Sequence, residues 1–520
     1  MATRKEQLDA FNFARRRTVA NLVVPSATGS DEGAPRPVRT FATSIILSAI
    51  AVAAVAVLGV FKPAAPSGWQ NGLAVDSSTG ATYIDRSNEL HSVYNITSAR
   101  LVLGTDFAKF DVPDSTLNSS GIPIGSPVGI LGAPEDVPAA SDMNLTQWSY
   151  CQNEKSATDQ TVPGGQTYLE IGYWPTSPGT STQGMWTDQS NHALIVHDSS
   201  NQVFLIEGDY RYLVGDDDVQ HHSDVQTFLA DIAGHPLVGN DVTGYWVSDT
   251  WLSAFPMGGA FAYPTLPDYN ATPRGPDQLG PVGAYGPTGS GGGVVQTENG
   301  IAELDPVAYS LYTSSSTLTA DGVEKLPATK LTASAITAAG QGDGGTVNPA
   351  TAFEANTYSA NWPTANPSIS GTDTTDANAQ NLCVGYQYAG ATSVSKLTVW
   401  LSAQLPYGSA GGQFGLNQKV SSSYANTVLV KPGYGLIAQG ATGTVAQNYE
   451  YLIEDSGYRY ALLSDPATSG SSQPLTAAGQ LGYGHVTVQS VPIDFLDLIQ
   501  PGAQLDPKAA GESPGTASLG

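Results

Sequence analysis

The sequence is poor in charge, and above all in positive charge. Only 13% of its 520 residues are charged, and 46 acidic side chains outnumber 21 basic ones, so the net charge at pH 7 is −25. Binding to nucleic acid depends on Lys and Arg side chains that neutralise phosphates. This balance therefore argues against a nucleic-acid partner and favours a soluble acidic body.

The usual catalytic motifs are missing as well. The chain contains no G-x-x-x-x-G-K-[ST], H-E-x-x-H or C-x-x-C. Because a P-loop holds phosphates with backbone N–H groups and a lysine, ATP hydrolysis has no visible site. Ser393–Lys396 matches S-x-x-K and Gly511–Gly515 matches G-x-S-x-G. The first lacks its partner motifs and the second has Pro514 where a helix should begin, so we interpret both as chance.

One polar cluster has residue types that could bind a divalent metal. Asp216, Asp218, His221 and His222 combine carboxylates with imidazoles. The alternative is that the aspartates cap a helix starting near Val219, where acids suit the positive end of the helix dipole. We favour the cap, so the sequence predicts no metal, no cofactor and no catalytic residue.

Long apolar runs are scarce, but one is present. Residues Thr40–Phe61 contain no charge and no proline, and Arg39 and Lys62 flank them. As a helix the run would be about 33 Å long, against a hydrocarbon core of about 30 Å. A signal-peptide core is about 7–15 residues long and lies nearer the N-terminus. We therefore interpret the run as a transmembrane helix rather than a signal peptide or a buried core helix.

The flanks of this run predict its orientation. Residues 1–39 carry seven basic and four acidic side chains, whereas Lys62 alone is basic just after the run. Basic flanks stay in the cytoplasm, so the N-terminus is predicted inside and residues 62–520 outside. Residues 1–24 have the pattern of a basic helix that could lie on the inner leaflet or dock on a partner.

Cysteine is almost absent. Cys151 and Cys383 are the only two, and both lie on the predicted outer side. In an oxidising compartment they have one possible pairing, and the resulting disulfide would join the two halves of the exported body. Two free buried thiols are the alternative.

Short hairpins recur along the exported part. Strand pairs are predicted within Leu73–Asp85, Ala193–Glu207, Val294–Asp305 and Tyr451–Leu463, each around a turn of small polar residues. A helical segment follows each pair, so we predict four degenerate ββα repeats produced by internal duplication. The alternative is that hairpins are common and resemble one another. The predicted fold class is α+β and β-rich, with these repeats around a central β domain behind a single transmembrane helix.

The predicted organisation follows the chain in nine parts. They are a cytoplasmic helix and linker (1–39), the transmembrane helix (40–61), stalk and repeat 1 (62–104), the central β domain, first part (105–192), repeat 2 (193–240), a loop-rich segment with repeat 3 (241–319), the central β domain, second part (320–450), repeat 4 (451–503) and a disordered tail (504–520).

Three stretches together carry a family resemblance. They are Ala2–Val23 before the apolar run, Trp69 with the Leu73–Asp85 strand pair, and Leu90–Gly104, L-H-S-V-Y-N-I-T-S-A-R-L-V-L-G. We name Leu90–Gly104 the signature segment, because it is similar to L-H-P-V-x-N-x-T-S-A-R-L of the EccB family, with Ser92 where proline is usual. That family supplies a membrane subunit of actinobacterial type VII secretion systems. The matching residues are Leu90, His91, Val93, Asn95, Thr97, Ser98, Ala99, Arg100 and Leu101.

The resemblance implies an elongated, periplasm-facing protein in the inner-membrane core complex. Expected partners are EccC, EccD and EccE, with homo-oligomers inside the complex, and expected substrates are small helical WXG-class proteins. The family is also described as ATP-hydrolysing, which would make ATP a cofactor. Another hypothesis is a cell-wall-binding module whose repeats grip peptidoglycan. A surface glycoprotein is the remaining one, prompted by acceptor-like Asn95-Ile-Thr97 and Asn144-Leu-Thr146.

Overall fold

The structure of the chain is a computed structural model. It describes residues 3–23, 37–60, 65–104, 107–153, 166–175, 186–187, 192–215, 222–233, 245–274, 278–315, 318, 322–341, 346–354, 358, 361–363, 368–369, 381–388, 390, 397–402, 405–407, 416–417, 423–442, 445–465 and 475–514.

The helices in the described residues are mostly short. They are α1 (Arg4–Val23), α2 (Pro37–Val60), α3 (Ile96–Leu103), α4 (Asp114–Ser119), α5 (His222–Ala233), α6 (Asp249–Ser253), α7 (Pro306–Ser314), α8 (Ala333–Gln341), α9 (Pro349–Ala352), α10 (Ala477–Gln480), α11 (Ile493–Asp497) and α12 (Pro507–Ala510).

Strands outnumber helices. They are β1 (Leu73–Asp76), β2 (Thr82–Arg86), β3 (Glu89–Ser92), β4 (Lys109–Val112), β5 (Gln147–Asn153), β6 (Thr167–Ile171), β7 (Trp186–Thr187), β8 (His192–His197), β9 (Val203–Glu207), β10 (Tyr210–Val214), β11 (Tyr245–Trp246), β12 (Met257–Phe261), β13 (Tyr285–Pro287), β14 (Gly293–Thr297), β15 (Gly300–Leu304), β16 (Thr346–Val347), β17 (Ser368–Ile369), β18 (Asn381–Gln387), β19 (Thr398–Ser402), β20 (Leu416–Asn417), β21 (Thr427–Val430), β22 (Gly435–Thr442), β23 (Val445–Glu454), β24 (Arg459–Leu462), β25 (Ser464–Asp465), β26 (Leu475–Thr476) and β27 (Val488–Pro492). The fold is therefore mixed α+β and β-rich.

The chain divides into two units. The first comprises Met1–Trp69, Asp76–Thr79 and Asp111–Gly121, and the second comprises Gln70–Val75, Gly80–Phe110 and Ile122–Gly520. The first unit contains α1 and α2, and α2 covers most of the apolar run. Over the stretches that the structure describes, no helix combines the length and the apolar character that crossing a bilayer requires.

The strands of each predicted repeat lie in a separate sheet, and the sheets differ in where the strand after the helix pairs. In repeat 1 (order β3-β2-β1-β4) and repeat 4 (β24-β23-β22-β27), the strand after the helix pairs with the first strand of the meander. In repeat 3 (β13-β14-β15-β16) it pairs with the third strand. In repeat 2 (β11-β8-β9-β10-β12, with β17 on β8) the strand after the helix, β11, pairs with the first strand, β8, and the later strand β12 pairs with the third, β10. Strands β12, β16 and β27 run parallel to their partners, so a crossover segment must precede each of them.

Repeat 4 and the C-terminal tail each differ from the prediction. The repeat begins with β22, which lies in residues that the prediction gave to the central β domain. The tail predicted to be disordered from Gln504 contains α12, in which Pro507 and Ala510 are buried. The tail has no apolar periodicity, and only its contacts with distant parts of the chain give it structure.

The central sheet has the order β20-β21-β6-β5-β18-β19-β7. It draws β5 to β7 from the first predicted part of the central domain and β18 to β21 from the second. One side, the core face, presents buried residues that pack against repeats 2 and 4; those on the sheet include Trp148, Tyr150, Leu169, Val384, Tyr386 and Val428. The opposite side, which we call the second face, carries Cys151, Cys383 and Trp400. The alternation follows from the two-residue period of a strand.

Candidate functional site

The signature segment runs from β3 into α3. Asn95 caps the helix, because its Oδ1 accepts the N–H of Ser98 at 2.8 Å. Asn is among the best N-cap residues, since it satisfies an N–H that the helix leaves unpaired. Gly104 ends the helix with φ +68°, which glycine adopts without a steric penalty. The local sequence thus sets both ends of α3.

A second stretch of chain, residues 122–138, lies along this segment. The N–H of Leu90 donates to the carbonyl of Pro123 at 2.8 Å, and the N–H of Ile96 donates to the carbonyl of Glu135 at 2.7 Å. Strand β3 and the first turn of α3 are therefore both bonded to the same stretch, which has little regular structure of its own.

At Ile130, both backbone groups of this stretch bond side chains of the signature segment. Asn95 Nδ2 donates to the carbonyl of Ile130 at 2.8 Å, and the N–H of Ile130 donates to Ser98 Oγ at 2.9 Å. Two side chains one helical turn apart thus satisfy both backbone groups of a single residue. Because a buried backbone group without a partner is costly, Asn95 and Ser98 form a lock between α3 and residues 122–138.

The C-terminal segment, residues 501–514, closes over the same region. The Arg86 guanidinium donates to the carbonyl of Gly511. Ser513 Oγ donates to the carbonyl of Pro127 at 2.7 Å. The hydroxyl of the G-x-S-x-G pattern is thus bonded to a backbone carbonyl, and it contributes to packing the chain terminus.

The inner side of α3 belongs to the core of repeat 4. Leu101 is fully buried in a cluster with Leu452, Leu505 and Ala510. The first repeat, the last repeat and the C-terminal segment therefore share one apolar core.

Three charged side chains meet beside α3. Arg100 Nε lies 3.0 Å from Asp136 Oδ1, and Lys109 Nζ lies 3.0 Å from Asp136 Oδ2. The Arg100 guanidinium also lies 4.7 Å from the centre of the Phe107 ring. These side chains are partly exposed, so each ion pair contributes at most about 1 kcal/mol. Their main effect is to orient residues 135–137.

The other signature residues serve pairing and packing. His91 Nδ1 lies 2.7 Å from the carbonyl oxygen of Ser126, so that ring nitrogen carries the proton. Val93, Thr97 and Ala99 are buried under or within α3. Asn95 itself is only 6% exposed, so the first of the two acceptor-like tripeptides is buried, whereas Asn144 of the second is exposed.

Cys151 and Cys383 lie directly opposite each other on β5 and β18 and form a disulfide. The bond joins two central strands that are 232 residues apart in sequence. Both cysteines are fully buried beside Trp400, whose ring centre lies 5.2 Å from that of Trp174. The bond thus links the two chain segments that build the central sheet.

Motif searching missed three glutamates, of which Glu170 and Glu454 are buried and Glu207 is partly buried. Burial raises the pKa of Glu170, Glu207 and Glu454 to about 7 in each case, with nearby Asp305 also acting on Glu207. A usable signal was present, because each glutamate follows apolar residues within a predicted strand. Removal from water disfavours the charged form of a carboxylate, which is why the pKa of each glutamate lies above its ordinary value.

The sequence-predicted metal candidates are not brought together in any described arrangement. Asp216, Asp218 and His221 lie outside the described residues, and His222 is the first residue of α5. Within the described ranges, no three His, Cys, Asp or Glu side chains form a group that could hold a metal ion.

Other predicted positions also fall outside the description. Lys62 and the S-x-x-K pattern Ser393–Lys396 lie outside the described residues, whereas Arg39 lies within α2. The described geometry around the signature segment consists of caps, backbone pairing and packing. Such an arrangement suits mechanical coupling between repeats.

A family model described as "Type VII secretion system ESX-1, transport TM domain B" matches residues 1–516. The chain is 34% identical over 165 residues to the ESX-1 secretion system ATPase EccB1 of Mycobacterium tuberculosis, covering 32% of this chain and 33% of that protein. It is 26% identical over 329 residues to the ESX-5 secretion system ATPase EccB5 of Mycobacterium marinum, covering 62% and 57%. The first relative is thus matched over about a third of its length.

Two solved structures share the fold. One is an intact ESX-5 inner membrane complex, with TM-score 0.57 and 18% identity over 100% of this chain and 97% of that chain. The other is the EccB3 dimer from the ESX-3 core complex, with TM-score 0.55 and 19% identity over 85% and 99%. At these identities the likeness concerns the fold alone.

Proposed function

The chain belongs to the EccB family of type VII secretion proteins, and from that membership we propose that it is a structural component of a type VII inner-membrane core complex. The observation that carries the proposal is the family match over residues 1–516. It is supported by the signature segment, which the structure uses to connect repeat 1 to repeat 4.

A scaffold must hold its parts in fixed relation under load, and the geometry suits that task. The lock at Ile130, the shared core around Leu101 and the disulfide join segments that are far apart in sequence. Long-range connections of this kind raise the cost of local opening. The repeats would then open cooperatively and not one at a time.

The proposal includes a membrane topology. We infer that the apolar run within α2 crosses the inner membrane once, with residues 1–39 in the cytoplasm and the acidic body in the periplasm. The charge asymmetry of the flanks supports this orientation. Protease added to spheroplasts should digest the body and spare an N-terminal tag; an intact body would contradict the topology.

The proposed partners are EccC, EccD and EccE, together with further copies of this chain, and the proposed cargo is small helical WXG-class proteins. Purification of the tagged full chain in mild detergent should yield a large complex that contains all four subunits. A stable lone monomer under conditions that preserve the other subunits' complex would contradict a scaffold role.

ATP hydrolysis is the second candidate function, because the matched relatives carry the word ATPase in their names. The absence of a P-loop from the sequence argues against it here, so we propose that the chain has no intrinsic catalysis. Steady-state ATP turnover of the purified chain should equal that of the Asp218→Ala, Lys396→Ala and Ser513→Ala variants. A turnover lost in one of these variants would support the ATPase instead.

A further inference from the structure

The second face of the central sheet carries a carboxylate, Glu170, for which the described residues supply no counter-charge. Glu170 is 2% exposed, and its Oε2 accepts the N–H of Tyr407 at 3.0 Å. Its other oxygen, Oε1, receives no hydrogen bond from any residue in the described ranges. No Lys, Arg or His among those residues forms an ion pair with it. A carboxylate buried this way is costly unless something neutralises it.

The residues opposite Glu170 on the two neighbouring strands do not donate a hydrogen bond to its carboxylate. Ser149 lies opposite Glu170 on β5, but its Oγ donates to the carbonyl of Tyr173 at 3.0 Å. Leu429 lies opposite Glu170 on β21 and has nothing to donate. The carboxylate is therefore flanked by one engaged hydroxyl and one apolar side chain.

Three tyrosines lie near the carboxylate on the second face. The rings of Tyr173 and Tyr407 meet edge to face, with centres 5.0 Å apart. Tyr168 lies two residues before Glu170 on the same strand and so on the same face. Burial first, and then the charge of Glu170, raise the pKa of Tyr168, which places the phenol within electrostatic reach of the carboxylate. All three rings are only partly buried, so the cluster is reached from outside.

This combination selects the charge of a ligand. Aromatic faces and a carboxylate both attract a cation, and removing a cation from water over such a surface strengthens the attraction. An anion would repel the carboxylate, and a neutral group could donate a hydrogen bond to it but would leave its charge unbalanced. An ammonium group, with its three N–H donors, can give one hydrogen bond to Oε1 while its alkyl stem lies against the rings.

We propose that Glu170, Tyr168, Tyr173 and Tyr407 form an alkylammonium-binding site, the Glu170 site. Two sources share this chemistry, a small free amine and a lysine side chain presented by a partner protein. Glu170 supplies the opposing charge, the backbone N–H of Tyr407 holds its other oxygen in place, and the rings bind the stem.

The test titrates the full chain in detergent with four probes. They are n-butylammonium, its neutral match n-butanol, the blocked peptide acetyl-Gly-Lys-Gly-amide and its norleucine counterpart, all followed by calorimetry. We expect saturable binding of the charged probes and none of the neutral ones. Binding of butylammonium alone indicates a small amine, whereas binding of both charged probes indicates that a lysine side chain also fits. Saturable binding of butanol would overturn the proposal.

Two variants assign any binding to this site. Glu170→Gln is nearly isosteric and keeps an oxygen for the N–H of Tyr407, so we expect it to fold and to bind about tenfold more weakly or worse. Glu454→Gln removes an equally buried carboxylate elsewhere and should bind as the wild type does. Tyr168→Leu, at a partly buried position, should weaken binding severalfold. Equal affinity in the wild type and Glu170→Gln would refute the assignment.

Discussion

The lock at Ile130 makes a prediction that the structure allows us to size. Asn95→Ala removes the N-cap of α3, which is worth about 1 kcal/mol, and leaves the carbonyl of Ile130 without its donor, which costs about 1–3 kcal/mol when buried. We expect a local loss of about 2–3 kcal/mol. Since 1.4 kcal/mol is tenfold in an equilibrium constant, amides in residues 122–138 should exchange about 30-fold faster or more.

Hydrogen exchange followed by mass spectrometry is the suitable assay, because a chain with several cores need not unfold in one step. Asn95→Asp keeps the capping oxygen but sets a second oxygen against the carbonyl of Ile130, so residues 122–138 should still lose protection while the first turn of α3 keeps it. Asn144→Ala is the control: this exposed asparagine donates to the nearby carbonyl of Ser141, and its loss should change stability by less than about 0.5 kcal/mol.

The loss of protection in Asn95→Ala should extend beyond residues 122–138. The C-terminal segment 501–514 rests on the same stretch through Ser513, so its protection should fall together with that of residues 122–138. If the exchange rates of residues 122–138 and 501–514 are unchanged in Asn95→Ala, the lock contributes nothing to the free energy of local opening. Faster exchange in α3 alone would show that the cap matters and the bond to Ile130 does not.

Three further predictions concern other parts of the fold. Replacing Cys151 and Cys383 together by alanine should lower the urea midpoint, because a 232-residue loop is worth up to about 5 kcal/mol in the loop-entropy model; an unchanged midpoint would contradict it. Gly104→Ala should lower the melting temperature more than Gly80→Ala, because both glycines have positive φ but only the Cβ at position 104 would meet another side chain, that of Gln480. Equal losses would count against that contact. Burial raises the pKa of Glu170 from 4.5 to about 7, so the folded chain holds a proton that the unfolded chain has lost. Stability should therefore fall as pH rises through that window, by up to about 3 kcal/mol relative to Glu170→Gln, and parallel pH profiles of the two proteins would refute this.

Several local features of the fold could be predicted from the sequence because they depend on near neighbours. The hairpins fall where small polar turns separate apolar strands, as at β8–β9. The family resemblance is confirmed by the match over residues 1–516, and it rested on the same short-range pattern. Asn95 and Ser98 could be named as family residues, yet their common partner Ile130 could not, because nothing in the sequence pairs positions 32–35 residues apart.

Other features were missed for the same reason. The first strand of repeat 4 was assigned to the central domain, since its long apolar run has no signal that says which sheet it joins. The tail was predicted to be disordered because its order comes from Arg86, Leu101 and other residues about 400 positions away. Glu170 looks like an ordinary charged residue in sequence, and only its place on a covered sheet face makes it a buried carboxylate.

The sequence by itself determined the apolar run, the acidity of the body, the two cysteines and the signature segment, because composition and short-range order carry that information. Only the tertiary structure decided that the first and last repeats share a core, that the disulfide lies between two central strands, and that a buried carboxylate accepts the backbone N–H of Tyr407. Those outcomes depend on which distant segments bury surface against each other, and burial is a property of the folded chain.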